Sequence, residues 1–135
     1  MVSGLQNNPK RIFLLDGIGA IISILMLGIV LVNLEPYFGI PKNVLYILAT
    51  LPIFFLIYDL YCYCRQIVNK CSIRIIALTN LLYCFLSLVL TILHFSKITI
   101  LGWLYIIIEI IIVVVVAIIE LKLSAEIINT RISNE

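Results

Sequence analysis

Charge is what this chain has least of. Asp, Glu, Lys and Arg make up only 12% of its 135 residues, about half the share of an ordinary soluble domain. With 64% hydrophobic residues besides, the chain cannot cover a water-facing surface and does not read as a soluble protein. Its single histidine, His94, leaves no histidine cluster to hold a metal. It has neither a glycine-rich phosphate loop nor a paired nucleophile and base, so no signature of phosphoryl or acyl transfer is present. Basic residues are few and sit beside apolar runs, where they meet lipid phosphates. Nucleic acid is therefore excluded as a partner. Cysteine is also scarce, at four residues. Cys62 and Cys64, two apart, point about 200° from each other on a helix and cannot grip one ion. The cysteines are expected to be free, with Cys62 and Cys71 open to acylation. No metal and no cofactor are expected.

What the chain does have is apolar length. Four runs, at residues 12–32, 44–64, 73–95 and 98–121, are each long enough to cross about 30 Å of hydrocarbon as a helix. Little remains outside them, so residues 1–135 are read as one transmembrane domain. The fold class is all-α, because a sheet edge in lipid would leave backbone groups unpaired. The Ile/Val-rich stretch 106–119 is thus a helix despite its strand-like composition. Short connections make neighbouring spans antiparallel, and an up-down-up-down four-helix bundle is expected. Residues 1–9 form a polar lead. The first connection, Asn33 to Asn43, carries Pro36, Gly39 and Pro41 with Tyr37 and Phe38, a composition suited to lying on the membrane surface.

Orientation follows from the nine basic residues. Lys10, Arg11, Arg65, Lys70, Arg74, Lys122 and Arg131 flank one side, and only Lys42 and Lys97 flank the other. By the positive-inside rule both termini face the cytoplasm. Lys10 and Arg11 before an apolar run also fit a signal peptide, but the run is too long for one and no small-residue cleavage site follows.

The polar residues within the spans carry the functional information, since an ionisable group near the bilayer centre costs about 2.5 to 3.5 kcal/mol to insert. At about 1.5 Å per residue, Asp16 lies about 7 Å in from Arg11, Asp59 about 9 Å from Arg65 and Asn80 about 9 Å from Arg74, so three spans contribute to one layer. Glu109, about 18 to 20 Å from both Lys97 and Lys122, lies near the midplane. Asn80, Cys84, Ser87, Thr91 and His94 form a seam at helical spacing along the third span. Gly102, Tyr105, Glu109, Val113, Val116 and Glu120 share a face of the fourth; Asp16, Gly19, Ala20, Ser23 and Leu27 of the first; Ala49, Pro52, Phe55, Asp59 and Cys62 of the second. These faces should meet inside the bundle, with Gly19, Ala20 and Ser23 allowing close approach. Pro52 is expected to kink the second span or to wall a cavity. Tyr83, one turn from Asn80, could line the same interior. Glu120, one turn from Lys122, reads as an interfacial charge, and Asp16 and Asp59 could reach Arg11 and Arg65. His94 reads as an interfacial anchor.

The strings LDGIGA at 15–20, YDLYCY at 58–63, NLLYC at 80–84 and YIIIEI at 105–110 resemble small, uncharacterised four-span bacterial integral membrane proteins. The resemblance implies a bacterial cytoplasmic membrane and no particular chemistry.

The candidate site residues are therefore Glu109, Asp59, Asp16, Asn80 and Tyr83. The leading expectation is a polar, acidic intramembrane chamber that binds or transports a proton, a cation or a small amphiphile, and transport through so small a bundle would call for a homodimer. Two other classes stay open: an accessory subunit of a larger membrane complex, and a lipid-modifying enzyme using Asp59 or Glu109 as acid or base. The orientation is directly testable. Single cysteines introduced beside Lys70 should be labelled only from the cytoplasm and those beside Lys42 only from outside, and outward labelling at Lys70 would invert the assignment.

Overall fold

The computed structural model describes residue 8 and residues 10–65 and 69–132, with side chains of the last helix described to residue 126. The rest of the polar lead, residues 1–7 and 9, and the centre of the second connection, residues 66–68, lie outside the described residues. Every described element is helical. Helix α1 (Lys10–Leu25) continues as a π-helical stretch (Met26–Leu31); α2 (Glu35–Phe38) is short; α3 (Lys42–Arg65), α4 (Lys70–Leu93) and α5 (Ile100–Ile132) are long. Four stretches, Lys10–Leu31, Lys42–Arg65, Lys70–Leu93 and Ile100–Glu126, are long and apolar enough to cross a membrane, which makes this a multi-pass membrane protein. The spans expected at 44–64 and 73–95 start two or three residues earlier, at Lys42 and Lys70. The last begins at Ile100 because His94 to Lys97 form a turn. Helices run on to their basic ends because continuing the backbone ladder leaves fewer polar groups bare in the interface.

The four spanning helices associate unevenly. α1 packs along α3 and α4 along α5, while α3 meets α4 over a shorter stretch. Between the first span and α3 the close contacts are at Gly17 of α1, where an added methyl would rest 3.5 Å from Leu56, and at Gly28 of the π-helical stretch, 3.6 Å from Ala49. Gly19, expected to provide this close approach, has nothing within 4 Å of such a methyl. The crossing angle carries the contact to the glycines on either side of it.

Two apolar clusters fill the interior. Ile12, Phe13, Cys62, Ile73, Ile76 and Leu123 draw on all four spans at one end. Leu27, Leu31, Leu45, Leu48, Tyr83 and Ile106 belong to the other, which extends to the first connection through Ile40. That connection does not simply lie on the surface. After α2, Gly39 adopts φ 69°, the left-handed turn that glycine makes without strain. The Thr99 hydroxyl donates to the Tyr37 carbonyl at 2.7 Å and its amide donates to the Phe38 carbonyl at 3.1 Å. Phe38 also sets its ring edge-on to Tyr105. The first turn of α5 is thereby clamped to α2, and a methyl at Gly102 would collide with the Phe38 carbonyl.

This clamp separates two glycines that look alike in the sequence. Gly102→Ala should lower stability by about 1 to 3 kcal/mol through overpacking. Gly19→Ala, with open space around it, should be neutral or stabilising by up to about 1 kcal/mol from helix propensity. Unfolding of the purified protein in detergent measures both, and equal effects would refute the clamp.

Candidate functional site

Helices α4 and α5 lie side by side, and the polar residues on their facing sides collect at two levels. The first lies near the apolar cluster of Ile12, Phe13 and Leu123. There the Asn80 side-chain amide donates to Asp16 Oδ1 at 2.9 Å and to Glu120 Oε2 at 3.3 Å. Asp59 faces Asp16 within interaction range. α1, α3, α4 and α5 each supply one of these four residues, so the layer expected from depth counting is formed by Asp16, Asp59 and Asn80, and Glu120 joins it. Glu120 is fully buried, which corrects its reading as an interfacial charge. Helical phase decides the matter: Glu120 is eleven residues from Glu109, close to three full turns, so it shares the inward face, while Lys122 lies exposed on the other side. Asp16 and Asp59 likewise turn inward and not toward Arg11 or Arg65, both exposed.

Neither aspartate nor Glu120 pairs with a basic side chain among the described residues. Asp16 Oδ2, both Asp59 oxygens and Glu120 Oε1 are buried without a hydrogen-bond donor. Three carboxyl groups on facing sides of the bundle would repel one another if all were charged in a medium of low dielectric. Asn80 supplies the cluster's one visible amide donor.

The second level is about 16 Å along α5, at about 1.5 Å per residue. The Tyr83 hydroxyl donates to Glu109 Oε1 at 2.8 Å, and Phe55 of α3 sets its ring edge-on to Tyr83. Glu109 is only 8% exposed, and its second oxygen, Oε2, has no donor. It borders a cavity of about 400 Å³, a volume typical of small-molecule sites. The walls of the cavity are mostly aliphatic: Ala20 and Ser23 of α1, Met26 of the π-helical stretch, Pro52 and Phe55 of α3, Tyr83 of α4, and Tyr105, Ile112 and Val116 of α5. Asp16 and Asn80 border it too, which joins the two levels. Of the candidate residues, Glu109, Asp16, Asn80 and Tyr83 therefore share one cavity, whereas Asp59 lies behind Asp16 and is not in its wall.

Elsewhere the seam of α4 is buried at Ser87 and Thr91, with the Thr91 hydroxyl donating to the Ser87 carbonyl at 2.7 Å. His94 caps α4 with its ring against the Leu90 carbonyl. Among the described residues no group of three or more His, Cys, Asp or Glu is disposed to hold a metal ion. No protein-family model, curated protein or solved structure matches the chain significantly.

The bridging role of Asn80 sets a stability test. Asn80→Leu keeps the volume but removes the donor to two carboxyl groups, and should cost about 1 to 3 kcal/mol. Adding Asp16→Asn to that variant restores an amide and deletes one acid, so it should recover part of the loss in the same unfolding assay. Greater loss in the double variant would show that the cluster is not organised around Asn80.

Proposed function

We propose that this protein binds a ligand in its intramembrane cavity through Glu109, and that gain or loss of the Glu109 proton is part of binding or transport. One observation carries the reading: Glu109 Oε2 is a buried acceptor with no donor, and it borders a cavity large enough for a small molecule. A group needed only to accept from Tyr83 could be a glutamine, without the expense of an ionisable group in hydrocarbon. Asp16, Asn80 and Tyr83 complete the site, and Asp59 and Glu120 act behind them by sharing protons with Asp16.

We further propose an antiparallel, up-down-up-down arrangement with both termini in the cytoplasm of a bacterial cell, in its cytoplasmic membrane. The contacts favour it, because partner numbers fall along one helix as they rise along the next: Lys70 with Ser124, Asn80 with Glu120, Tyr83 with Glu109. The basic flanks and the resemblance noted above support the rest. A lipid-modifying enzyme fits less well, since Asp59 and Glu109 are not presented to one substrate. So does a purely structural subunit, whose partner would have to bring a basic side chain into the interior of the bundle to reach Asp16, Asp59 or Glu120.

Glu109→Gln preserves shape and a donor, so the variant should fold. It should lose the infrared C=O band of the protonated Glu109 carboxyl and, in proteoliposomes loaded with a pH-sensitive dye, any protein-dependent proton flux. Flux equal to that of the parent protein in a folded Glu109→Gln variant would return this residue to a structural role.

A further inference from the structure

The cavity beside Glu109 is closed at its ends and open on one flank. Toward the acidic layer it is backed by Asn80 and Asp16, and beyond them the apolar cluster around Phe13 and Leu123 seals the bundle. Toward the other end Leu27, Leu48 and Ile106 pack together. Between α1 and α5 there is no such closure. Ile22 and Ile112 border the cavity yet remain 56% and 58% exposed, and these two helices are not among the pairs that pack closely. The side that is open is the side that meets lipid.

A solute using that opening arrives from the hydrocarbon and must itself be largely apolar. Its charge is set by what waits inside. The ionisable groups on the wall are carboxyls, Glu109 and Asp16, with the phenols of Tyr83 and Tyr105, and Asp59 and Glu120 stand behind Asp16. Among the described residues no Lys, Arg or His lines the cavity, so a fatty-acid anion would meet only like charge. Calcium or magnesium wants about six or more oxygen ligands in place of its water, and this largely aliphatic wall does not supply them. An ammonium group suits what is present: a charge-assisted hydrogen bond to Glu109 Oε2, in a cavity that Phe55, Tyr83 and Tyr105 also line.

We propose that the cavity binds a protonated alkylamine, its ammonium group on Glu109 Oε2 and its chain lying in the opening between α1 and α5. The inference rests on the reading of Glu109 as the ligand-binding acid and adds the class of ligand and the route by which it comes.

The test uses the full chain in phosphatidylcholine nanodiscs with tritiated dodecylamine as probe, corrected for uptake by empty discs. Saturable binding should be displaced by unlabelled dodecylamine and unaffected by dodecanol, dodecanoate or potassium chloride. Displacement by dodecanol would mean that the chain alone is recognised, and displacement by dodecanoate or potassium would mean that the charge has been misassigned; each overturns the proposal. Glu109→Gln should weaken dodecylamine binding about 10- to 100-fold, the worth of a charge-assisted hydrogen bond. Ser23→Phe, which fills the cavity wall, should block the amine as well, and full binding in that folded variant would place the amine outside the cavity and overturn the proposal. If either variant fails to fold, the displacement series on the parent protein decides alone. Absence of saturable binding to the folded parent refutes the alkylamine. Should Glu109 still titrate and support proton flux in that case, the broader function stands without this ligand.

Discussion

A carboxyl group in hydrocarbon has to find a donor, a proton or a cation, and Asp16, Asp59, Glu109 and Glu120 lie buried within the spans. Asp16, Asp59 and Glu120 answer the requirement together, around the Asn80 amide, and Glu109 answers half of it through Tyr83. Much of the remaining architecture serves these bonds. Asn80 sits between α1 and α5, so one amide links helices that otherwise barely touch. Gly17 lets α3 come near enough for Asp59 to face Asp16. At the far end, the clamp of Thr99 onto α2 fixes where α5 begins and hence the height of Glu109.

The two polar levels differ in kind. The acid cluster is rich in acceptors and poor in donors, and of its acids Asp16 borders the cavity while Asp59 and Glu120 lie behind it. Glu109 stands at the edge of free volume with an oxygen to spare. Pro52 and the π-helical stretch at Met26–Leu31 flank that volume on neighbouring helices. Proline removes a ladder donor and a π turn widens the helix, so both are places where packing is irregular and cavities persist in the lipid-embedded bundle.

The spans were legible because apolar length is a thermodynamic necessity in lipid, and so was the layer of Asp16, Asp59 and Asn80, since rise per residue turns a sequence offset into depth. Glu120 shows where depth alone misleads. Its distance from Lys122 suggested the interface, but its phase on α5 pointed inward, and phase determines what a side chain touches. The choice of Gly17 and Gly28 over Gly19 as contact points was not legible, because it depends on the crossing of two helices and not on either helix alone. Nothing in the string MLGIVL announced a π turn. The cavity itself is a property of imperfect fit among four helices, and no single segment encodes it.

The uneven pairing of the helices also bears on how the protein is made. α1 and α3 are neighbours along the chain, as are α4 and α5, so each pair can assemble locally soon after it enters the bilayer, in keeping with stepwise insertion and association. Asp16 and Asp59, however, both belong to the first pair, and the Asn80 amide that bonds Asp16 belongs to the second. The early intermediate therefore holds two adjacent acids without that donor. Arrival of α4 supplies the amide, which makes the union of the two pairs self-checking: a bundle assembled in the wrong register leaves those acids bare in lipid and exposes the misassembled protein to removal.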